Sequence, residues 1–350
     1  MKPAPTSAPP PFNTLAKPRQ AAPEVYRVAL MFGICLLHSI TFSAGDRALW
    51  PWRLLHSCVD GFAFLSGWYG LSFRPSKFVR LYALALFCGT LIFTIGWLSG
   101  SYPVALDRAT LKLLRGLLVG PWFLNAYALL LLLAPLVDAV LAWVPPAKRL
   151  SVLLPPLAIT FGWAFAQSIP HIGGLFPQTA GVGSYTGLTL FGIYILARLW
   201  RLGDWDRFLT GTRLYVAIGV LMLLSIGGFY NYASPVAALL SGCCFLLFRR
   251  IPWPDWVGRV ALWLGPSMFA VYLLHCNRVI LPYFEPLEQA VMGLLHCPRL
   301  IAYPLATLPI FALCLAIDLP RRAILSLTQR LWKPLLQRLD ATYTRLVGEN

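Results

Sequence analysis

An arginine and a histidine lie eleven residues apart in the first apolar segment, at Arg27 and His38. On an α-helix, eleven steps of about 100° return to within about 20° of the start, so both side chains share one face. The rise separates them by about 16 Å, which is half the thickness of a bilayer core. An ionisable group buried in a membrane helix is costly and usually marks a functional site. The spacing therefore predicts a site that runs from one membrane surface toward the middle of the bilayer.

A second histidine is expected at a similar depth. Tyr272 and His275 are three residues apart in a later apolar segment, so they share a helical face. One buried histidine is more often a core residue, but two with an aligned arginine favour a functional cavity. Asp60 lies inside the second apolar segment and needs a cation or hydrogen-bond donors there, which His38 or Arg53 could supply. A position of Asp60 at the membrane interface is an equally good interpretation.

Three further residues could bind a substrate. Lys77 and Arg80 are neighbours on one helical face, and with Arg27 they could form a cationic mouth that holds phosphates. Membrane anchoring by basic residues explains these charges equally well. Trp122 could stack on a sugar acceptor, although aromatic residues at that depth are also typical of the interfacial belt.

The elements that position these residues are apolar helices. Of the 350 residues 58% are hydrophobic and only 12% are charged, and the mean hydropathy is +0.67. A soluble protein carries about twice that charge fraction. The composition predicts an all-α, polytopic membrane helix bundle with about ten transmembrane helices in residues 25–320. The ten apolar stretches are 27–44, 55–73, 81–98, 117–141, 150–168, 185–200, 214–230, 233–248, 260–281 and 300–319.

The basic residues predict the orientation of the bundle. With the N-terminus inside, 22 of the 29 lysines and arginines fall in cytoplasmic segments and 7 in external ones. This bias places both termini in the cytoplasm and accounts for the net charge of +16, so no nucleic-acid partner is predicted. Pro-rich residues 1–24 read as a disordered cytoplasmic tail. Residues 321–350 read as an amphipathic helix on the inner leaflet, or as a solvated tail.

The eight cysteines predict neither a metal site nor redox chemistry. Seven of them lie in apolar stretches, and no Cys-x-x-Cys pair occurs. We interpret them as small core residues. No metal and no bound cofactor are predicted.

Seven short motifs, in order along most of the chain, resemble acyltransferase family 3, the integral membrane O-acyltransferases. These motifs are Arg27–ten residues–His38, Val59-Asp60-Gly-Phe-Ala-Phe-Leu-Ser66-Gly67, Lys77-Phe-Val-Arg80, Trp122-Phe123-Leu124, Gly192-Ile-Tyr-Ile-Leu-Ala-Arg198, Tyr272-Leu-Leu-His275 and Asp318-Leu-Pro-Arg321. Each motif is weak alone, but seven in register are specific. Lys77 departs from the family pattern, because it replaces an arginine and loses the bidentate fork.

The resemblance implies a multi-pass enzyme of the inner membrane, surrounded by lipids. Such an enzyme moves an acyl group, usually acetyl, from cytoplasmic acetyl-CoA to a hydroxyl of an extracytoplasmic or lipid-linked carbohydrate. The resemblance makes Arg27 and His38 the catalytic pair, and it makes Lys77 and Arg80 residues that bind the acyl donor. Asp60, Tyr272 and His275 are the candidates for supporting His38. The rival interpretation is a transporter or flippase for a lipid-linked sugar. Such a protein would also need many membrane spans and aromatic residues at its openings.

Overall fold

A computed structural model of the chain shows an all-helical protein, with no strand in the residues that it describes. These residues are 20–44, 50–101, 108–119, 121–162, 166, 187–231, 233–276, 281–296 and 298–347. Most of the predicted N-terminal tail, residues 1–19, lies outside them.

Fourteen α-helices occur in the described part of the chain, and we number them in order. They are α1 (Ala21–Ala44), α2 (Ser57–Tyr69), α3 (Pro75–Leu98), α4 (Arg108–Val119), α5 (Trp122–Trp143), α6 (Arg149–Leu157), α7 (Gly187–Leu202), α8 (Thr212–Gly227), α9 (Pro235–Arg250), α10 (Asp255–Leu264), α11 (Met268–His275), α12 (Leu281–Leu295), α13 (Arg299–Leu327) and α14 (Gln329–Val347). A 3-10 turn, Trp50–His56, leads into α2.

Each of the ten predicted apolar stretches coincides at least partly with a helix. Among the described residues, five segments are long and apolar enough to cross a bilayer: Ala21–Thr41, Pro75–Leu98, Trp122–Trp143, Asp255–His275 and Leu300–Leu327. The fourth of these combines α10 and α11, while the other predicted stretches form helices of 16 residues or fewer. The chain is thus a membrane helix bundle. Ten crossings and the cytoplasmic position of both termini stay predictions.

The structure differs from the sequence prediction at several boundaries. α1 begins at Ala21, inside the predicted tail, because Pro23 falls in the first turn, where its missing N–H needs no partner. α13 continues past residue 320 to Leu327 despite Pro320, and prolines are tolerated in membrane helices whose neighbours satisfy the freed backbone groups. Two segments that lie between the predicted apolar stretches contain helices α4 and α12, whose apolar residues recur at helical spacing.

α1 is the central helix of the bundle, in contact with α2, α9, α10, α11, α12 and α13. This position buries the middle of α1, where Ile40 and Leu37 are almost fully enclosed. Close packing of the neighbouring pair α2 and α7 depends on Gly67, where a Cβ would come within 2.5 Å of the Tyr194 carbonyl oxygen. Small residues allow such approach between membrane helices. The helix α1, which carries Arg27 and His38, is therefore enclosed by packed partner helices.

The C-terminal helix α14 docks on the start of α3. The Asp340 carboxylate accepts hydrogen bonds from the Ser76 backbone N–H at 2.9 Å and from the Ser76 hydroxyl at 2.6 Å. Because the first N–H groups of a helix lack intrahelical partners, Asp340 serves as a cap supplied from 264 residues away. Leu331 and Leu346 on α14 are exposed, as expected for an amphipathic helix. Its predicted position on the inner leaflet stays a prediction.

Candidate active site

Arg27 and His38 lie on one unbroken helix, as their spacing predicts, since α1 runs from Ala21 to Ala44. Both side chains are part-buried. The Arg27 guanidinium donates to a Glu24 carboxylate oxygen at 2.5 Å, one turn earlier on the same helix. His38 contacts residues of α11 instead. The two members of the predicted pair therefore belong to two different environments.

A cavity of about 710 Å³ opens at the Arg27 end of α1. The three cations predicted to share a mouth, Arg27, Lys77 and Arg80, all line it. Lys77 Nζ donates to the Ser72 carbonyl at 2.9 Å and to its hydroxyl at 3.1 Å. The Arg80 guanidinium lies 4.9 Å from the ring centroid of Trp332 on α14. Three cations around one cavity are suited to holding phosphate groups.

Glu24 is a residue of this cavity that the sequence interpretation missed. Its side chain is buried, and its Oε2 atom has no hydrogen-bond partner among the described residues. It packs against Gly265, where there is no room for a Cβ beside the carboxylate. An acid three residues before Arg27 is a favourable helical pair, so the spacing was a usable signal. Glu24 is thus already paired with Arg27, the cation to which an anionic ligand would bind.

An aromatic wall of the cavity connects it to His275 through ring contacts. Phe123, Tyr127 and Phe269 line the cavity, and the Phe123 ring centroid lies 5.4 Å from that of Tyr272. The Tyr272 ring in turn lies 6.2 Å from the ring of His275. Two aromatic rings in contact thus lead from the cationic cavity to His275. The predicted support residue Tyr272 provides one of these rings.

His38 and His275 meet directly, although 237 residues separate them in sequence. His38 Nδ1 lies 2.9 Å from His275 Nε2, and His275 Nδ1 lies 2.6 Å from the Val271 carbonyl oxygen. A carbonyl only accepts, so His275 Nδ1 donates, and in a neutral ring its Nε2 is then an acceptor. It follows that His38 Nδ1 donates to His275, which assigns the lone pair of His38 to Nε2. A histidine held in this tautomer by a buried partner resembles the oriented base of a catalytic triad.

Asp60 is fully buried on α2, but the structure gives it neither expected partner. Its two carboxylate oxygens have no hydrogen-bond partner among the described residues. Arg53 instead donates to the Ile226 carbonyl at 3.2 Å and lies 4.7 Å from the Tyr230 ring centroid. The turn that carries Arg53 packs against α8, which directs the guanidinium there. The expectation that Arg53 or His38 pairs with Asp60 is wrong for this structure, and His275 is the group that contacts His38.

Trp122 begins α5, and its ring packs edge-on against Phe123 with centroids 5.7 Å apart. Phe123 lines the cavity, but Trp122 does not appear among the described lining residues. The structure therefore places Trp122 next to the aromatic wall, outside the lining of the cavity. Its role in binding an acceptor stays a prediction.

Cys276 is a second residue that the sequence interpretation missed. Its Sγ lies 3.3 Å from His38 Nδ1 and 3.6 Å from His275 Nε2. Its position directly after His275 was the available signal, but no spacing rule for cysteine pairs or metal sites applied to it.

A comparison with protein families identifies the domain that these helices form. Residues 20–319 match the acyltransferase domain of acyltransferase family 3, which covers the helices that build the cavity and the histidine pair. No curated protein and no solved structure matches the chain. The match confirms the resemblance read from the seven motifs and favours acyl transfer over transport. The chain belongs to this family, and the protein is an acyltransferase embedded in a membrane.

Proposed function

We propose that this protein is an O-acyltransferase of the inner membrane that moves an acetyl group from cytoplasmic acetyl-CoA to a hydroxyl of an extracytoplasmic or lipid-linked carbohydrate. One observation carries the proposal. The cationic cavity and the histidine pair lie at two levels of the same helix, at Arg27 and His38. Their separation of about 16 Å is similar to the length of an extended pantetheine arm, which is on the order of 15–20 Å.

Donor binding follows from the charges. The phosphates of acetyl-CoA bind Arg27, Lys77 and Arg80, and the guanidinium of Arg27 exchanges its Glu24 partner for phosphate. The pantetheine arm then passes the aromatic wall, so the thioester reaches His38 while the nucleotide stays in water. Rearrangement of Tyr272 or Phe123 opens this path.

Acyl transfer uses the tautomer that His275 holds. His38 Nε2 takes the proton of the acceptor hydroxyl as its oxygen attacks the thioester carbonyl, and the carbon–sulfur bond then breaks. The proton passes from His38 to the departing CoA thiolate, and the products are an ester and CoA. A covalent acyl-imidazole on His38 is the alternative route, in which the imidazole attacks first and the hydroxyl accepts the acyl group from it. Trp122 is proposed to stack on the sugar.

The test is acyl transfer in membrane vesicles with acetyl-CoA labelled in its acetyl group. Wild type should release CoA and place base-labile label in the glycan fraction, while His38→Ala should do neither. His296→Asn is the matched control, because His296 is exposed and its positive φ of 44° is a conformation that asparagine tolerates. Normal turnover by an intact His38→Ala protein would remove His38 from the mechanism. If wild type leaves acetyl-CoA unconsumed, the donor assignment fails.

A further inference from the structure

Three metal-ligating atoms converge where α1 meets the end of α11. They are His38 Nδ1, His275 Nε2 and Cys276 Sγ, and all three lie within 4.8 Å of one another. The separations are 2.9 Å between the two nitrogens, 3.3 Å from the sulfur to His38 and 3.6 Å from the sulfur to His275. Two imidazoles and a thiol form a donor set preferred by zinc. The sequence predicted no metal because these ligands come from opposite ends of the chain.

The separations are close to the edges of a tetrahedral site. Bond lengths of about 2.0–2.1 Å to nitrogen and about 2.3 Å to sulfur require edges of about 3.3 Å between nitrogens and about 3.6 Å between nitrogen and sulfur. The distances from Cys276 to His38 and His275 already approach the second value. The two ring nitrogens need to separate by about 0.4 Å, and both rings must turn so that their lone pairs meet at the cation.

The surroundings of His275 are those of a metal ligand. Histidines that bind metals commonly donate their other ring N–H to a backbone carbonyl, which fixes the ring and directs the free lone pair at the ion. His275 Nδ1 makes this contact with the Val271 carbonyl at 2.6 Å. His275 is also almost fully buried, so the donor atom is held in place by packing.

We infer that His38, His275 and Cys276 form a binding site for a thiophilic divalent cation such as Zn²⁺, and that occupation of this site inhibits acyl transfer. Binding releases the thiol proton of Cys276. Because His38 Nδ1 coordinates the cation, the proton of His38 moves from Nδ1 to Nε2. Nε2 then has no lone pair for the acceptor's proton. The inhibitory part rests on the proposed function, whereas the metal site itself does not.

Metal binding is tested on the full-length protein, purified metal-free in lipid nanodiscs and titrated with Co²⁺ and then Zn²⁺. Wild type should bind one equivalent of Co²⁺ and show thiolate-to-cobalt charge-transfer absorption together with tetrahedral d–d bands, both of which Zn²⁺ should remove. Cys276→Ser should lose the charge-transfer band and weaken binding at least tenfold. Cys244→Ser is the matched control, because Cys244 is another half-buried free cysteine and should keep the full signal.

Two results would overturn the metal site: no saturable binding by wild type, or an unchanged charge-transfer band in Cys276→Ser. The titration of wild type decides whether the protein binds the metal, even if a variant fails to fold. The inhibitory part is tested by acetyl transfer at increasing Zn²⁺, where saturating the site should lower the wild-type rate at least tenfold. Stoichiometric binding without inhibition would overturn the inhibitory part, together with the base role of His38. Normal transfer without any binding would leave the proposed function intact and remove the site alone.

Discussion

The cavity at Arg27 and the contact at His38 differ in nearly every physical respect. The cavity is large, carries three cations and holds Arg27 with about a third of its side chain exposed. The histidine contact is short and sits beside the almost fully buried His275. Electrostatic attraction in the first region tolerates movement of the ligand, whereas proton transfer in the second requires fixed geometry. Under the proposed function, donor binding and chemistry are divided along a single helix.

The most severe test of this division is His38→Ala. General-base help is typically worth about 10²–10⁴-fold, so the turnover rate should fall by that factor. Affinity for acetyl-CoA should stay within about twofold, because the cavity is untouched. Calorimetric titration of acetyl-CoA measures this affinity, and the vesicle transfer assay measures the turnover rate. Equal loss of affinity and turnover would contradict the division.

The reciprocal change is Arg27→Gln. A hydrogen bond to a charged group contributes about 1.5–3 kcal/mol, so the KM for acetyl-CoA should rise by about 10–100-fold with a much smaller change in kcat. Steady-state kinetics over a wide donor range separates the two constants. Arg213→Gln is the control, because Arg213 is exposed and does not line this cavity. A fall in kcat at unchanged KM would place Arg27 in the chemical step instead.

A smaller effect is expected when His275 is changed. One buried hydrogen bond contributes about 0.5–1.5 kcal/mol, so His275→Ala should lower kcat by about 2–10-fold. His275→Gln should recover most of the loss, because a side-chain carbonyl can accept the His38 Nδ1–H as His275 does. Rates of the two variants should be compared at matched expression. Equal damage by alanine and glutamine would show that His275 only fills space.

The smallest effect is expected at the contact of α14 with α3. Loss of a helix cap costs about 1 kcal/mol of stability, so Asp340→Ala should raise the KM for acetyl-CoA by at most roughly fivefold, through looser positioning of Lys77 and Arg80. Asp340→Asn keeps one acceptor and should lie in between. Both variants should keep kcat. Donor kinetics identical to those of wild type would show that α14 does not influence donor binding in the cavity.

Local periodicity explains what the sequence could predict. A helical face joins Arg27 to His38, and apolar length indicates the membrane helices, because both properties depend on neighbours in sequence. A shared mouth of Lys77 and Arg80 with Arg27 was one of two interpretations of these charges, and the three side chains do line one cavity. A second intramembrane histidine, His275, was expected on the basis of similar depth.

Long-range packing explains what the sequence could not predict. The contact of Asp340 with Ser76 spans 264 residues and depends on how α14 folds back. Cys276 becomes chemically interesting only because α11 ends beside α1. Arg53 was paired with Asp60 by charge, but its turn faces α8. Charge and depth thus identify candidate residues, while tertiary packing decides which of them meet.

The cation-lined cavity has a consequence for regulation by product. Under the proposed function, it recognises phosphates that the reaction leaves unchanged, so free CoA keeps every charge that bound the donor. Arg27 must also leave Glu24 for either ligand, which favours polyanions and disfavours a truncated thioester without phosphates. CoA should therefore compete with acetyl-CoA for the same cavity. The rate of acyl transfer would then follow the ratio of acetyl-CoA to CoA rather than the concentration of acetyl-CoA alone.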